Sequence, residues 1–108
     1  MSKFVSTLNK GFFMGFENGF GISVQFGPDN YCEKKQLTTT PPEPMKQKKW
    51  DSLSAEIAVF EGEGMVAVGN EDAVIGWLST NDVAAIIFIV STATSREGLK
   101  HKIKELKF

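Results

Sequence analysis

Residues 12–26 alternate with period two on either side of Asn18-Gly19. Phe12, Met14 and Phe16 are interleaved with Phe13, Gly15 and Glu17; then Phe20, Ile22, Val24 and Phe26 are interleaved with Gly21, Ser23 and Gln25. Successive side chains of a strand point to opposite faces, so each apolar set must share one face. Asn-Gly between two such runs is the strongest short-range hairpin signal, because a type I′ turn needs positive φ at both central residues. A hairpin at 12–26 is therefore expected, and the rest of the chain must be arranged around it. The second face of its return strand is Gly21, Ser23 and Gln25, small and polar, and so is either wet or lines a site.

Further strands follow at regular spacing. Leu53, Ala55, Ile57 and Val59 alternate with Ser54, Glu56, Ala58 and Phe60, which predicts a third strand. Met65–Val68 and Ala73–Leu78 read as a fourth and a fifth, separated by Gly-containing turns, with Trp77 expected to fill the core. Such spacing suggests an antiparallel meander. Ser79 and Asp82 make a capping-box pattern ahead of a helix running to Thr92; Thr94 and Glu97 repeat it ahead of a last helix ending near Lys107. On that last helix Leu99, Ile103 and Leu106 form the apolar stripe. The expected fold class is α+β: an antiparallel sheet of about five strands, N-terminal hairpin plus meander, packed against two C-terminal helices. Val83–Val90 is apolar all round, so it must be covered on more than one side. The sheet and the last helix cover two sides, and the remainder is the surface expected to form a homodimer, since two-fold dimers are the commonest oligomers.

At 108 residues the chain has room for a single domain, 1–108. Nine phenylalanines provide a core that needs no staples. The lone Cys32 excludes an intramolecular disulfide and suits a reducing compartment. Met1–Lys10 has no apolar stretch after its basic start, and the longest apolar run is the eight residues 83–90, whereas a membrane-spanning helix needs about 20. A soluble, cytoplasmic protein with no membrane partner is expected.

The near-neutral net charge of −1 hides a segregation. Residues 33–50 carry five lysines against Glu33 and Glu43, residues 96–108 carry Arg96 and four lysines, and residues 51–95 hold seven acids and no Lys or Arg. Either these surfaces face one another within the fold or across a dimer, or they attract a charged ligand. The stretch 33–50 is polar, proline-rich and aperiodic, and is expected to be a mobile basic loop.

Two regions could bind. Gln25-Phe26-Gly27-Pro28-Asp29-Asn30-Tyr31-Cys32 places amides, a phenol and open backbone at a strand end, directly ahead of Lys34 and Lys35. Amides read donor and acceptor edges, aromatics stack, and lysines offset negative charge. Gln25, Asn30, Tyr31, Lys34 and Lys35 are thus candidate contacts to a small nucleotide-like anion, with the loop as a lid. The same turn chemistry also serves an ordinary strand exit. Trp50 closes the loop and either anchors it to the body or faces the ligand. The second region is the last helix, where Arg96, Lys100, Lys104 and Lys107 line one flank and suit phosphates or an acidic partner. No base-stacking aromatics interleave with those lysines, so sequence-specific nucleic-acid binding is not expected.

Catalytic chemistry finds little footing. His101 sits among lysines with no second histidine or cysteine at ligand spacing, so no metal is expected. Cys32 has no base near it in sequence, and no phosphate-binding glycine motif joins a strand to a helix. Neither an enzyme nor a cofactor is expected.

The stretch GFFMGFENGFGISVQFGPDNYC at 11–32 resembles small uncharacterised proteins of tailed bacteriophages, which carry an N-G-aromatic-x-I/V-S-V-Q-F-G-x-x-N-Y-C hairpin. SAEIAVF and GWLSTNDVAAII are similar to later parts of that pattern, so the resemblance covers about two-thirds of the chain, without the basic loop or the lysine-rich tail. It implies a phage accessory protein acting in the host cytoplasm. Such proteins commonly sequester immune signalling nucleotides or inhibit a host factor. The expected function is accordingly non-enzymatic sequestration of a small anionic ligand; the alternative is inhibition of a host protein through the acidic strands or the basic helix.

Overall fold

The structure is a computed structural model that describes residues 2–6, 11–26, 52–69 and 73–106. The turn expected at 27–30 and the basic loop expected at 33–50 lie outside the described residues. Among the described residues six strands make one antiparallel sheet: β1 (Lys3–Ser6), β2 (Gly11–Gly15), β3 (Phe20–Gln25), β4 (Ala55–Glu61), β5 (Gly64–Val66) and β6 (Val74–Leu78). Two helices follow, α1 (Thr80–Thr92) and α2 (Arg96–Glu105). The α+β class is as expected, and the hairpin pairs in register from Gly11↔Gln25 to Gly15↔Gly21.

The turn of that hairpin differs from the expectation. Phe16 N–H bonds the Phe20 carbonyl at 2.9 Å, and Gly19 N–H bonds the Phe16 carbonyl at 3.1 Å. Only Gly19, at φ 89, has positive φ. This is a three-residue loop, Glu17-Asn18-Gly19, with one left-handed residue instead of two. Asn18 is occupied elsewhere: its Oδ1 accepts from Phe20 N–H at 3.1 Å. Its Nδ2 donates to the carbonyls of Val90 and Ala93, both at 2.9 Å. The last carbonyls of a helix have no partner within it, and this side chain supplies one across 72 residues of sequence.

Two strand expectations are corrected. Lys3–Ser6 forms an additional edge strand, too short to alternate visibly, which pairs with β2 from Lys3↔Gly15 to Ser6↔Phe12. The later strands do not form a simple meander. β5 pairs with the Val59–Glu61 end of β4, and β6 pairs with the Ala55–Ala58 end of the same edge. Together they act as one interrupted strand running antiparallel to β4. The seven residues of β4 are long enough to seat both.

The pairing between β4 and β6 also slips. Ile57 faces Ile75 and Ala55 faces Leu78, so Glu56 alone spans the gap filled by Gly76 and Trp77. Trp77 has φ 60 and is 58% exposed, so it does not fill the core. An extra residue in a strand bends it and re-aims its side chains, and here the core position passes to Leu78.

One sheet face carries the core. Ile22 and Val24 of β3, Ile57 and Val59 of β4, and Val83, Ile86 and Val90 of α1 are all buried together. Full burial of such a side chain is worth about 1.5–3 kcal/mol. α2 adds Leu99 and Ile103, packed against α1. Leu106 of the expected stripe stands at the helix C-cap and is exposed. On the opposite face, Gly21 is covered by the Phe13 ring, to which a Cβ at that position would come within 2.5 Å. Phe13 meets Phe60 edge to face at 5.8 Å.

α1 begins as expected: Ser79 Oγ accepts from Asp82 N–H at 3.2 Å, and Asp82 Oδ2 accepts from Ser79 N–H at 3.1 Å. α2 is capped one residue later than expected, by Ser95, whose Oγ accepts from Gly98 N–H at 3.1 Å. Thr94 lies in the bend between the helices. No helix among the described residues is long and apolar enough to cross a membrane.

Candidate functional site

A groove of about 440 Å³ opens where the ends of β2, β3, β4 and β6 meet the first two turns of α1. The hairpin contributes Phe12, Val24 and Phe26. Phe12 and Val24 are cross-strand partners, so both point to the helix side. Leu53 and Ala55 enter from the start of β4, and Leu78 from the end of β6, where the slip in register has turned it inward. α1 supplies Val83, Ala84 and Ile87 along one flank, residues three and four apart on a helix being surface neighbours.

The polar groups in this groove are three hydroxyl residues, Ser52, Ser54 and Thr80. Ser52 Oγ donates to the Ser54 carbonyl at 2.8 Å, a local bond that fixes the approach to β4. Thr80 is the first residue of α1. The helix start is already capped by its own Asp82 carboxylate, so the positive end of the helix dipole is offset before any ligand arrives. Among the described residues no charged side chain lines the groove.

The expected contact residues fall in different places. Gln25 ends β3, is half-buried, and donates from Nε2 to Ser23 Oγ at 2.9 Å. Its neighbour Phe26 lines the groove. Arg96 is the first residue of α2 and donates from Nε to Glu61 Oε1 at 2.9 Å, forming an ion pair. Glu61 pairs with Phe20, at the opposite end of β3 from Gln25. Five residues of strand separate the two, roughly 17 Å at the usual rise per residue, so one small ligand does not touch both. The pair joins the acidic strands to the basic helix, an instance of the charge segregation being met within the fold. Asn30, Tyr31, Lys34, Lys35 and Trp50 lie outside the described residues, as does Cys32.

His101 is exposed, with Nε2 at 3.1 Å from Glu105 Oε1 one turn along α2. Among the described residues no three His, Cys, Asp or Glu side chains gather in a way that could hold a metal ion.

The groove residues Phe12, Leu53, Leu78, Thr80, Ala84 and Ile87 were not singled out from sequence as a site. They come from separate segments, and each taken alone is an ordinary strand or helix residue. Only Phe26 lay inside a segment read as a binding region. Comparison with protein-family models, with curated proteins and with solved structures returns no match.

Proposed function

We propose that this chain is a non-catalytic binding domain whose groove holds the flat, apolar part of a small anion, with nucleotides as the class of first choice. The groove itself carries this reading. Its volume of about 440 Å³ falls within the roughly 300–1,000 Å³ usual for small-molecule sites, which are mostly apolar with a few placed polar groups. Phe12 and Phe26 offer aromatic surface to a planar ring, and Thr80 brings a hydroxyl to the groove lining. The ligand's charge is assigned to Lys34 and Lys35, which follow Phe26 by eight and nine residues in sequence. The bacteriophage resemblance at 11–32 supports the biological part of the proposal, sequestration of a signalling nucleotide in the host cytoplasm.

Calorimetry against linear and cyclic nucleotides, with the matching nucleosides as neutral controls, tests it. The expected result is binding by at least one nucleotide, lost in Thr80→Trp, where the indole would fill the groove, and weakened in Lys34→Ala/Lys35→Ala. Absence of heat with every member of the panel counts against the reading.

A second reading, inhibition of a host protein, is favoured by α2. Lys100, Lys102 and Lys104 are all exposed, whereas Arg96 is paired with Glu61. A stoichiometric acidic protein captured by wild type and lost in Lys100→Glu/Lys104→Glu is the outcome that would favour it over the first.

A further inference from the structure

We infer that Asn18 is a deamidation site gated by its own clamp on α1: the amide is lost when the hairpin tip leaves the helix end, and its loss keeps the tip from returning. The inference stands apart from the binding reading. Of the five asparagines in the chain, Asn18 alone precedes a glycine. In that arrangement the glycine nitrogen, with no Cβ beside it to obstruct approach, can attack the asparagine side-chain carbonyl. A base in solvent takes the N–H proton as the Gly19 nitrogen bonds to Asn18 Cγ. The Cγ–Nδ2 bond then breaks, ammonia leaves with a proton from water, and a cyclic imide remains. Water next adds to either imide carbonyl and opens the ring, giving aspartate or its β-linked isomer. Water is the only co-reactant, and residues 17–19 are exposed to it.

In the folded chain both reacting groups are held. Asn18 Nδ2 donates to the carbonyls of Val90, Ser91 and Ala93 at 2.9, 3.3 and 2.9 Å. Oδ1 accepts from Phe20 N–H at 3.1 Å, which fixes the side-chain carbonyl. The nucleophile is engaged as well, because Gly19 N–H is bonded to the Phe16 carbonyl at 3.1 Å. The Gly19 carbonyl accepts from Gly62 N–H at 3.1 Å, so this residue is fixed on both its backbone groups. Attack requires the side chain to turn away from α1 and the tip to lift. Each hydrogen bond that must open lowers the reactive population several-fold, so deamidation should run on the order of a hundredfold slower than in an unrestrained peptide.

The product reverses the chemistry of the joint. A carboxylate has no proton to give, and it would face carbonyls at the negative end of the α1 dipole. The last turn of α1 holds no basic residue. Arg96, the next cation along the chain, is paired with Glu61. A tip that has lost its amide is therefore repelled from the helix end it capped, and the change is one-way.

Timed incubation of the full chain, read by peptide mass spectrometry at position 18, is the experiment, with a synthetic peptide of residues 14–22 as the unrestrained reference. Val90→Ala hollows the core beneath the last turn of α1, and it should deamidate several-fold faster than wild type with an unchanged circular dichroism spectrum. A wild-type rate equal to that of the peptide overturns the gating, and this comparison needs no variant. A peptide that gains no acid at position 18 overturns the site itself. An unchanged rate in Val90→Ala, with hydrogen exchange in the last turn of α1 accelerated, overturns the clamp as the gate. Asn18→Asp should speed exchange in that turn about fivefold more than Asn18→Ala, a dipole effect of ordinary size. Equal exchange in the two variants overturns the repulsion that bars the tip from returning.

Discussion

α2 turns Lys100, His101, Lys102 and Lys104 to solvent, whereas α1 turns Asn81, Ala84, Phe88 and Thr92. Both helices bury aliphatic residues in the same core, Val83, Ile86 and Val90 in one and Leu99 and Ile103 in the other. Both are capped at the N-terminus by a serine. The difference lies in the surface that folding leaves over. α2 is amphipathic to the degree that burial of one stripe requires. Among the described residues α1 leaves Ala84 and Phe88 exposed, and Ala84 also lines the groove. The binding proposal draws on the apolar groove that the first turns of α1 help to line.

The largest test of this contrast is at the buried faces, where the helices should behave alike. Ile86→Ala and Leu99→Ala each remove a side chain that is fully buried or nearly so, and each should cost about 3 kcal/mol in urea unfolding. A far smaller loss at Leu99 would mean that α2 is docked less firmly than its burial implies. Next is Asn18→Ala, which leaves the carbonyls at the end of α1 without their side-chain donor. It should cost roughly 2 kcal/mol and speed hydrogen exchange in the last turn of α1 while leaving α2 unchanged. The smallest effects should come from the N-caps. Ser79→Ala should cost about 1 kcal/mol and Ser95→Ala somewhat less, because only the first belongs to a reciprocal box with Asp82. Equal losses in thermal unfolding would show that the return bond from Asp82 adds nothing.

The elements themselves were largely legible. Hairpin alternation, the Ser79–Asp82 box and the strand runs at 55–61 and 74–78 are local patterns, and local chemistry decides them. Four features were not. The edge strand at Lys3–Ser6 is held by its pairing to β2, and four residues carry too little periodicity to announce a strand. The side-by-side seating of β5 and β6 depends on the length of a strand neither adjoins by a tight turn at both ends. Trp77 looked like core because alternation places it there, and a slip in register between β4 and β6 exposes it. Asn18 read as a turn residue alone, yet its amide also terminates α1. The groove was illegible for the same reason. Phe12, Leu53, Leu78 and Ala84 meet only after four elements have been placed.

By its own sequence this chain determined both helices and most of the strands, where α1 starts, and which side chains of the hairpin share a face, because periodicity and capping act within a few residues. Tertiary structure decided which strands share the edge of β4, which aromatic is buried and which exposed, and where a cavity remains. Those outcomes follow from register and packing between segments far apart in the chain, and no pattern inside one segment contains them.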